Sequence, residues 1–286
     1  AYNSTLTLSD SVIRHTEGSA LHLQDSNIQV LRNQIYDVWG MQGMYGDGLK
    51  ADGGQVVIEG NHLYDVHTPY GDGMQVTDMT VPPVVRGNHV HDIPDDCLDL
   101  NHSPGALERN VLHDCGDKGI SLGHAATTAL ANNLIYNCAI GVAVKDGHQS
   151  TMAHLTVADC AAGLALYEAH AGEGGGHATV VNSILWSSTT PLDVRDGSTL
   201  AVTYSDVQGG VPGQGNIAAD PLFRNPAGGD YRLRQESPCV DAGTAQGAPL
   251  DDVWGIPRPV GPGYDMGAHE FFEFFEVSLP LILRNK

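Results

Sequence analysis

Apolar and polar residues alternate along this chain in short bursts, and each burst opens on a small or acidic residue. Gly18-Ser19-Ala20-Leu21-His22-Leu23, Gly46-Asp47-Gly48-Leu49-Lys50-Ala51, Gly71-Asp72-Gly73-Met74-Gln75-Val76, Asp95-Asp96-Cys97-Leu98-Asp99-Leu100 and Asp117-Lys118-Gly119-Ile120-Ser121-Leu122 are successive copies. Looser copies continue through Leu164 to Phe223, nine returns in all at intervals of 22 to 29 residues. Period-two alternation is the signature of a strand. A strand that recurs every two dozen residues cannot bury its apolar face alone, so the pattern predicts coils stacked into an all-β solenoid.

A second phrase precedes the first by about ten residues in each coil: Asn33-Gln34-Ile35-Tyr36-Asp37-Val38, Asn61-His62-Leu63-Tyr64-Asp65-Val66, Asn88-His89-Val90-His91-Asp92-Ile93, Asn110-Val111-Leu112-His113-Asp114-Cys115 and Asn133-Leu134-Ile135-Tyr136-Asn137-Cys138. Its leading Asn is expected to stack on its neighbours and hydrogen-bond along the solenoid axis, which is how a buried amide at a turn is satisfied. Its middle aliphatic residue points inward. Two or three short strands per coil resemble the right-handed parallel β-helix of the pectin-lyase-like proteins. The resemblance implies about nine coils over residues 1–218.

Composition narrows the partners. Thirty-four acidic against 14 basic residues give a net charge of −20, which disfavours nucleic acid and anionic lipid, since both demand a cationic surface. Cations and glycans suit it better. Cys115, Cys138 and Cys160 follow one another at 23 and 22 residues, one coil each, and predict a column of free, buried thiols; Cys97 and Cys239 read as single. No apolar run is long enough to span a bilayer. The first residues already carry the strand pattern, which is read as a processed or truncated start.

From Ala219 the repeat gives way to Asp220-Pro221-Leu222-Phe223, Asp230-Tyr231-Arg232-Leu233, Ser237-Pro238-Cys239-Val240-Asp241-Ala242-Gly243, Gly255-Ile256-Pro257-Arg258-Pro259 and Asp265-Met266-Gly267-Ala268-His269-Glu270. These motifs resemble the choice-of-anchor module that ends secreted bacterial β-helix proteins. The resemblance implies an exported, extracellular or cell-surface protein. Residues 219–270 are expected to cap the open end of the last coil, where strand edges would otherwise go unpaired. Residues 271–286 form an apolar extended tail, with Phe271, Phe272, Phe274, Phe275, Val277, Leu279, Leu281, Ile282 and Leu283. Such a segment must lie against its own rod, against a neighbouring subunit, or serve as a sorting signal.

Superposing the coils places Asp47, Asp72, Asp96 and Lys118 in one column, with Lys50, Gln75, Asp99 and Ser121 three positions on. Asp95-Asp96-Cys97-Leu98 and the run from Cys115 to Gly123 are similar to polygalacturonase-type glycoside hydrolases. The resemblance implies that Asp72, Asp95 and Asp96 carry acid–base hydrolysis and that Lys145 binds substrate. It departs at Lys118, where the family has His, and at Ala143, where it has Arg. A lyase is the variant reading, with Lys118 as base and a cation held by Asp47, Asp72, Asp96 and Asp99; Ca²⁺ is the cation such oxygen donors suit. A second acidic column, Asp37, Asp65, Asp92, Asp114, Asn137 and Asp159, is expected to form turns. His89, His91, His113, His124 and His154 lack the HExxH spacing and read as turn and face residues.

Two functions therefore compete. The first is a secreted structural or adhesive subunit, self-associating head to tail through its first coil and its Phe-rich tail and requiring no cofactor. The second is an enzyme that acts on a polysaccharide through the carboxylates.

Overall fold

The structure, a computed structural model, describes residues 1–40 and 46–273. It is a right-handed parallel β-helix in which 22 strands pair in parallel with the coil before and the coil after. One sheet runs through nine rungs: Val12–Glu17, Gln34–Trp39, His62–Val66, His89–Ile93, the first halves of Val111–Gly123 and Leu134–Lys145, then Thr156–Ala158, Ile184–Trp186 and Asp206–Val207. A second sheet carries Met74–Thr77, Leu98–Asn101, Ala162–Tyr167 and Thr190–Val194, together with the halves of the longer strands that align with them. A third includes Thr5–Ser9, Val84–Arg86, Gly105–Glu108 and Thr127–Ala131.

Alternation sets what is buried. Ile35, Leu63, Val90, Leu112 and Ile135 fill the inner face of the first sheet, opposed by Leu49, Met74, Leu98, Ile120, Val142 and Leu164 from the second, all fully buried. Each rung supplies one layer, and the layers stack into a continuous core.

The turns obey two devices, both expected from the sequence. Asn33, Asn61, Asn88, Asn110 and Asn133 form an amide ladder: each of the first four donates its side-chain N–H to the Oδ1 of the next at 2.9 to 3.0 Å. Each Oδ1 from Asn61 onward also accepts the backbone N–H of the preceding Asn. Asp37, Asp65, Asp92, Asp114, Asn137 and Asp159 all adopt a left-handed backbone with φ between 53° and 62°, a conformation that Asp and Asn tolerate best after Gly. Their column is a corner of the helix.

The recurrent small residue has a steric cause. A Cβ on Gly48 would meet the carbonyl oxygen of Gly73 at 2.7 Å, and one on Gly141 that of Gly163 at 2.7 Å. Cys97 occupies this column and faces the Cys column. That placement corrects the expected thiol stack: Cys115 is bonded to Cys97, with Cα atoms 5.6 Å apart, while Cys138 and Cys160 are free and buried. Cys115 and Cys138 do lie in register on adjacent coils. The disulfide joins two positions of a coil that the 22-residue period does not relate.

Residues 213–217 cover part of the last coil, with Ile217 bridging Asp206. The segment that follows touches the last rung, where the Ala219 N–H and Cys239 Sγ donate to the Asp206 carboxylate, and also packs back along the outside of the first sheet. Phe223, Tyr231, Leu233, Val253, Met266 and Ala268 pack on Leu134, Ala158 and Ile184. The Ala268 N–H donates to Thr156 Oγ1 at 2.9 Å, and the Gly267 N–H to the Asn182 carbonyl at 2.7 Å. Apolar residues on the outward side of those late strands explain the choice, because they need a cover that the earlier, polar rungs do not. Phe271 is partly buried against this cluster. Phe274, Phe275, Val277, Leu279, Leu281, Ile282 and Leu283, assigned to assembly from the sequence, lie outside the described residues.

Candidate active site

A groove of about 950 Å³ runs along the second sheet and is lined by the acidic column, by Lys118 and Lys145, and by Lys50, Gln75 and Asn101. The coil register builds it. Lys50, Gln75, Asp99 and Ser121 are aligned cross-strand neighbours. Asp47, Asp72, Asp96 and Lys118 form the turn just before them, linked by a second ladder. Asp47 Oδ1 accepts the Asp72 N–H at 3.2 Å, Asp72 Oδ1 the Asp96 N–H at 3.2 Å, and Asp96 Oδ1 the Lys118 N–H at 2.9 Å.

The carboxylates do not share one role. Oxygens of Asp72, Asp95 and Asp96 converge within 4.8 Å of one another. Asp99 joins them from the next strand positions: it is the strongest of the four charges that act on Asp72. Asp47 stands one rung further out, tied to Ser19 Oγ at 3.2 Å, and is not part of the convergence. Of the cation ligands expected from the sequence, Asp72 and Asp96 converge with Asp95, and Asp47 lies outside that group.

Crowding and burial are visible in the proton affinities. Burial, then the charges of Asp99, Asp96, Asp47 and Asp95, push Asp72 up to about 9. Burial raises Asp96 to about 6, with Lys118 opposing. Asp95 and Asp99 are also raised, chiefly by burial. Asp99 Oδ1 and the Ser121 hydroxyl are buried, and neither completes a hydrogen bond among the described residues.

The two lysines differ. Lys118 Nζ pairs with Asp96 Oδ1 at 3.3 Å and with Asp117. Burial works against its charge, but Asp96 and Asp117 outweigh burial, and its pKa is raised. Lys145 lies two coils beyond Asp99, lines the same groove, and forms no ion pair among the described residues. At the far end, His124 and His170 stack at 5.1 Å and pair with Glu173 and Asp146 at 2.7 and 2.8 Å.

Sequence reasoning brought Asp72, Asp95, Asp96, Asp99, Lys118 and Lys145 to one groove. It missed the histidine groupings, of which one lies at this groove and another, His62 with His89 and His91, on the first sheet. His89-Val90-His91 carried the available signal, since alternate residues of a strand share a face.

Residues 72–211 match the family described as right handed beta helix region. No curated protein matches the chain. Among solved structures it is similar to the crystal structure of pectate lyase Pel9A, with a TM-score of 0.55 and 14% identity over 92% of this chain and 65% of that one. The chain spans less than two thirds of that protein's length, and none of its described helices is long and apolar enough to cross a membrane. With its nine parallel rungs, its amide ladder and these matches, the chain is a right-handed parallel β-helix whose fold is shared with a pectate lyase.

Proposed function

We propose that this protein is a polysaccharide lyase, cleaving an anionic, uronate-containing glycan by β-elimination in the groove of the second sheet. The observation that carries the proposal is the convergence of Asp72, Asp95 and Asp96, with Asp99 beside them, in a groove that Lys118 and Lys145 also line. Four buried or half-buried carboxylates sharing so little positive charge are costly to ionise together. An all-oxygen donor set with an uncompleted Asp99 oxygen fits a hard cation such as Ca²⁺. When bound, that cation would neutralise the substrate carboxylate and acidify the proton α to it.

The same cation would let an anionic substrate bind. A chain of net charge −20 repels an anionic polymer unless a bound cation bridges the two. Inverting hydrolysis, the kind the sequence resemblance implies, fits less well. Inverting hydrolases keep their two carboxyls roughly 6.5–9.5 Å apart to admit water, whereas oxygens of Asp72, Asp95 and Asp96 lie within 4.8 Å.

In elimination the base takes the proton from C5 of the uronate, the C4–O4 bond breaks, a C4=C5 double bond forms, and the departing sugar oxygen takes up a proton. No water is consumed. Lys145 is the candidate base: among the described residues it lines the groove without an ion pair and its charge acts on Asp99, whereas Asp96 and Asp117 keep Lys118 protonated and Lys50, also without an ion pair, lies two rungs before Asp99. Lys118 instead balances the charge of Asp96. Exchanging Lys145 for Ala is expected to lower kcat on polygalacturonate by about 10²–10⁴-fold, and Lys118→Ala to lower it less. Equal activity in wild type and Lys145→Ala would overturn the assignment of the base; activity unaffected by EDTA would overturn the cation. The disulfide and the C-terminal motifs support export to an oxidising compartment. Self-association through residues 271–286 remains a separate proposal, to be read from the sedimentation of a chain ending at residue 270.

A further inference from the structure

The first sheet, which forms a different face from the groove, carries a cluster with no part in the proposed elimination. Its outward positions on three neighbouring rungs are His62 and Tyr64, His89 and His91, and Val111 and His113. Register places His62 beside His89 and His91 beside His113. These pairs stack with ring centroids 4.9 Å apart and planes within 4°. Stacking alone would make an aromatic ladder, continuing through Tyr36 and Tyr64 below and Tyr136 above.

Two observations go beyond that. The rings also meet nitrogen to nitrogen across the diagonal: His62 Nε2 lies 2.8 Å from His91 Nε2, and His89 Nε2 lies 2.8 Å from His113 Nε2. In addition, Asp92 and Asp114 take the Nδ1 protons of His91 and His113 at 2.7 and 2.6 Å. A carboxylate behind Nδ1 fixes the tautomer and leaves Nε2 as the lone-pair nitrogen, the arrangement that supports metal-ligating imidazoles. Ring nitrogens of His62, His89 and His91 all lie within 4.8 Å of one another. Two imidazoles bound tetrahedrally to one ion at about 2.0–2.1 Å come to rest about 3.3 Å apart, so each 2.8 Å hydrogen-bonded contact would open by about half an ångström to admit the ion.

We propose that His62, His89 and His91, with His113 completing the nitrogen set, bind a divalent transition-metal ion of the imidazole-preferring class, Zn²⁺ or Cu²⁺. The ion would tie three successive coils together on a face remote from the carboxylates, whatever chemistry the groove performs. The donor set excludes Ca²⁺, which takes oxygen.

The test uses the full chain stripped with EDTA and titrated separately with ZnCl₂ and CuCl₂, with bound metal counted after dialysis. With excess CaCl₂ present to occupy the carboxylate groove, wild type is expected to hold one Zn²⁺ or Cu²⁺ per chain, and the Cu²⁺ form to show electron paramagnetic resonance coupling to at least three nitrogens. His89→Gln and His91→Gln should lose that ion, Asp114→Asn should weaken it by about 10-fold or more, and His170→Gln and Asp96→Asn should keep it. Absence of a stoichiometric ion in wild type overturns the proposal. So does loss of the ion in His170→Gln alone, which moves the site to the groove rim. If a histidine variant fails to fold, the wild-type Cu²⁺ spectrum decides by itself, because coupling to fewer than three nitrogens contradicts the site.

Discussion

Asp72 is the residue on which the charge argument turns. Its carboxyl is raised from 3.8 to about 9, first by burial and then by its acidic neighbours. The folded chain therefore holds a proton that the unfolded chain has lost above pH 4. With no cation present, stability is present in full below the unfolded value and declines as pH rises from about 4 towards 9. Asp72→Asn removes that decline. In EDTA at pH 8 the variant is expected to melt several degrees above wild type, since roughly 2–4 °C accompany each kcal/mol in a chain of this size. Calcium should reverse the order by stabilising wild type more than the variant, and a thermal scan with and without Ca²⁺ checks both signs.

The position of Asp72 was legible in the sequence because the coil period superposes it on Asp47 and Asp96. Its partnership with Asp95 was legible only through a family resemblance, since periodicity sets columns but not which neighbouring turn atoms converge. The histidine cluster stayed hidden for a related reason. It needs diagonal contacts between coils, between His62 and His91 and between His89 and His113, and a reading of single columns does not reveal diagonals.

At the scale of the element, the amide ladder holds the turn that leads into the first sheet, and the disulfide anchors the turn that carries Asp95 and Asp96. Asn88 donates to the Ile58 carbonyl and Asn110 Oδ1 and accepts from both nitrogens of Asn61. Asn88→Ala leaves several of these buried groups unpaired, and a loss of about 3 kcal/mol is expected in urea unfolding, at roughly 1–3 kcal/mol for each stranded group. The Asn period made this ladder readable in advance. The Cys97–Cys115 link was not readable, because its separation of 18 residues matches no repeat and depends on how one coil closes upon itself. A loop of that size should contribute about 3 kcal/mol. Paired replacement of Cys97 and Cys115 by Ala is expected to lower stability by that order and, because Asp95 and Asp96 adjoin Cys97, to weaken Ca²⁺ affinity as well. Calorimetric titration of the double variant checks the second effect.

At the scale of the molecule, the rod divides its faces. The late rungs of the first sheet are sealed by the C-terminal segment, which is fastened by a fully buried ion pair: Arg258 Nη1 meets Glu270 Oε2 at 2.6 Å, and Arg258 Nη2 reaches Asn132 Oδ1 at 3.2 Å. Arg258→Ala would strand Glu270 without its partner, and a destabilisation of about 3–5 kcal/mol is expected by denaturant titration. The sequence marked this segment as distinct and as an end cap, but not its packing along the first sheet. Its location follows from the outward apolar residues Leu134, Ala158 and Ile184, whose need for cover emerges only when the strands are assembled. The second sheet is left open along its acidic groove, and the function proposed here belongs to that open face.

The most direct measurement is the mass of the oligosaccharides released from polygalacturonate by wild-type protein with Ca²⁺, compared with EDTA and with Asp96→Asn. Elimination predicts calcium-dependent products with an unsaturated end, lighter by one water than their hydrolytic counterparts, and none from the variant. Saturated products formed equally well in EDTA, or by Asp96→Asn, would contradict the account.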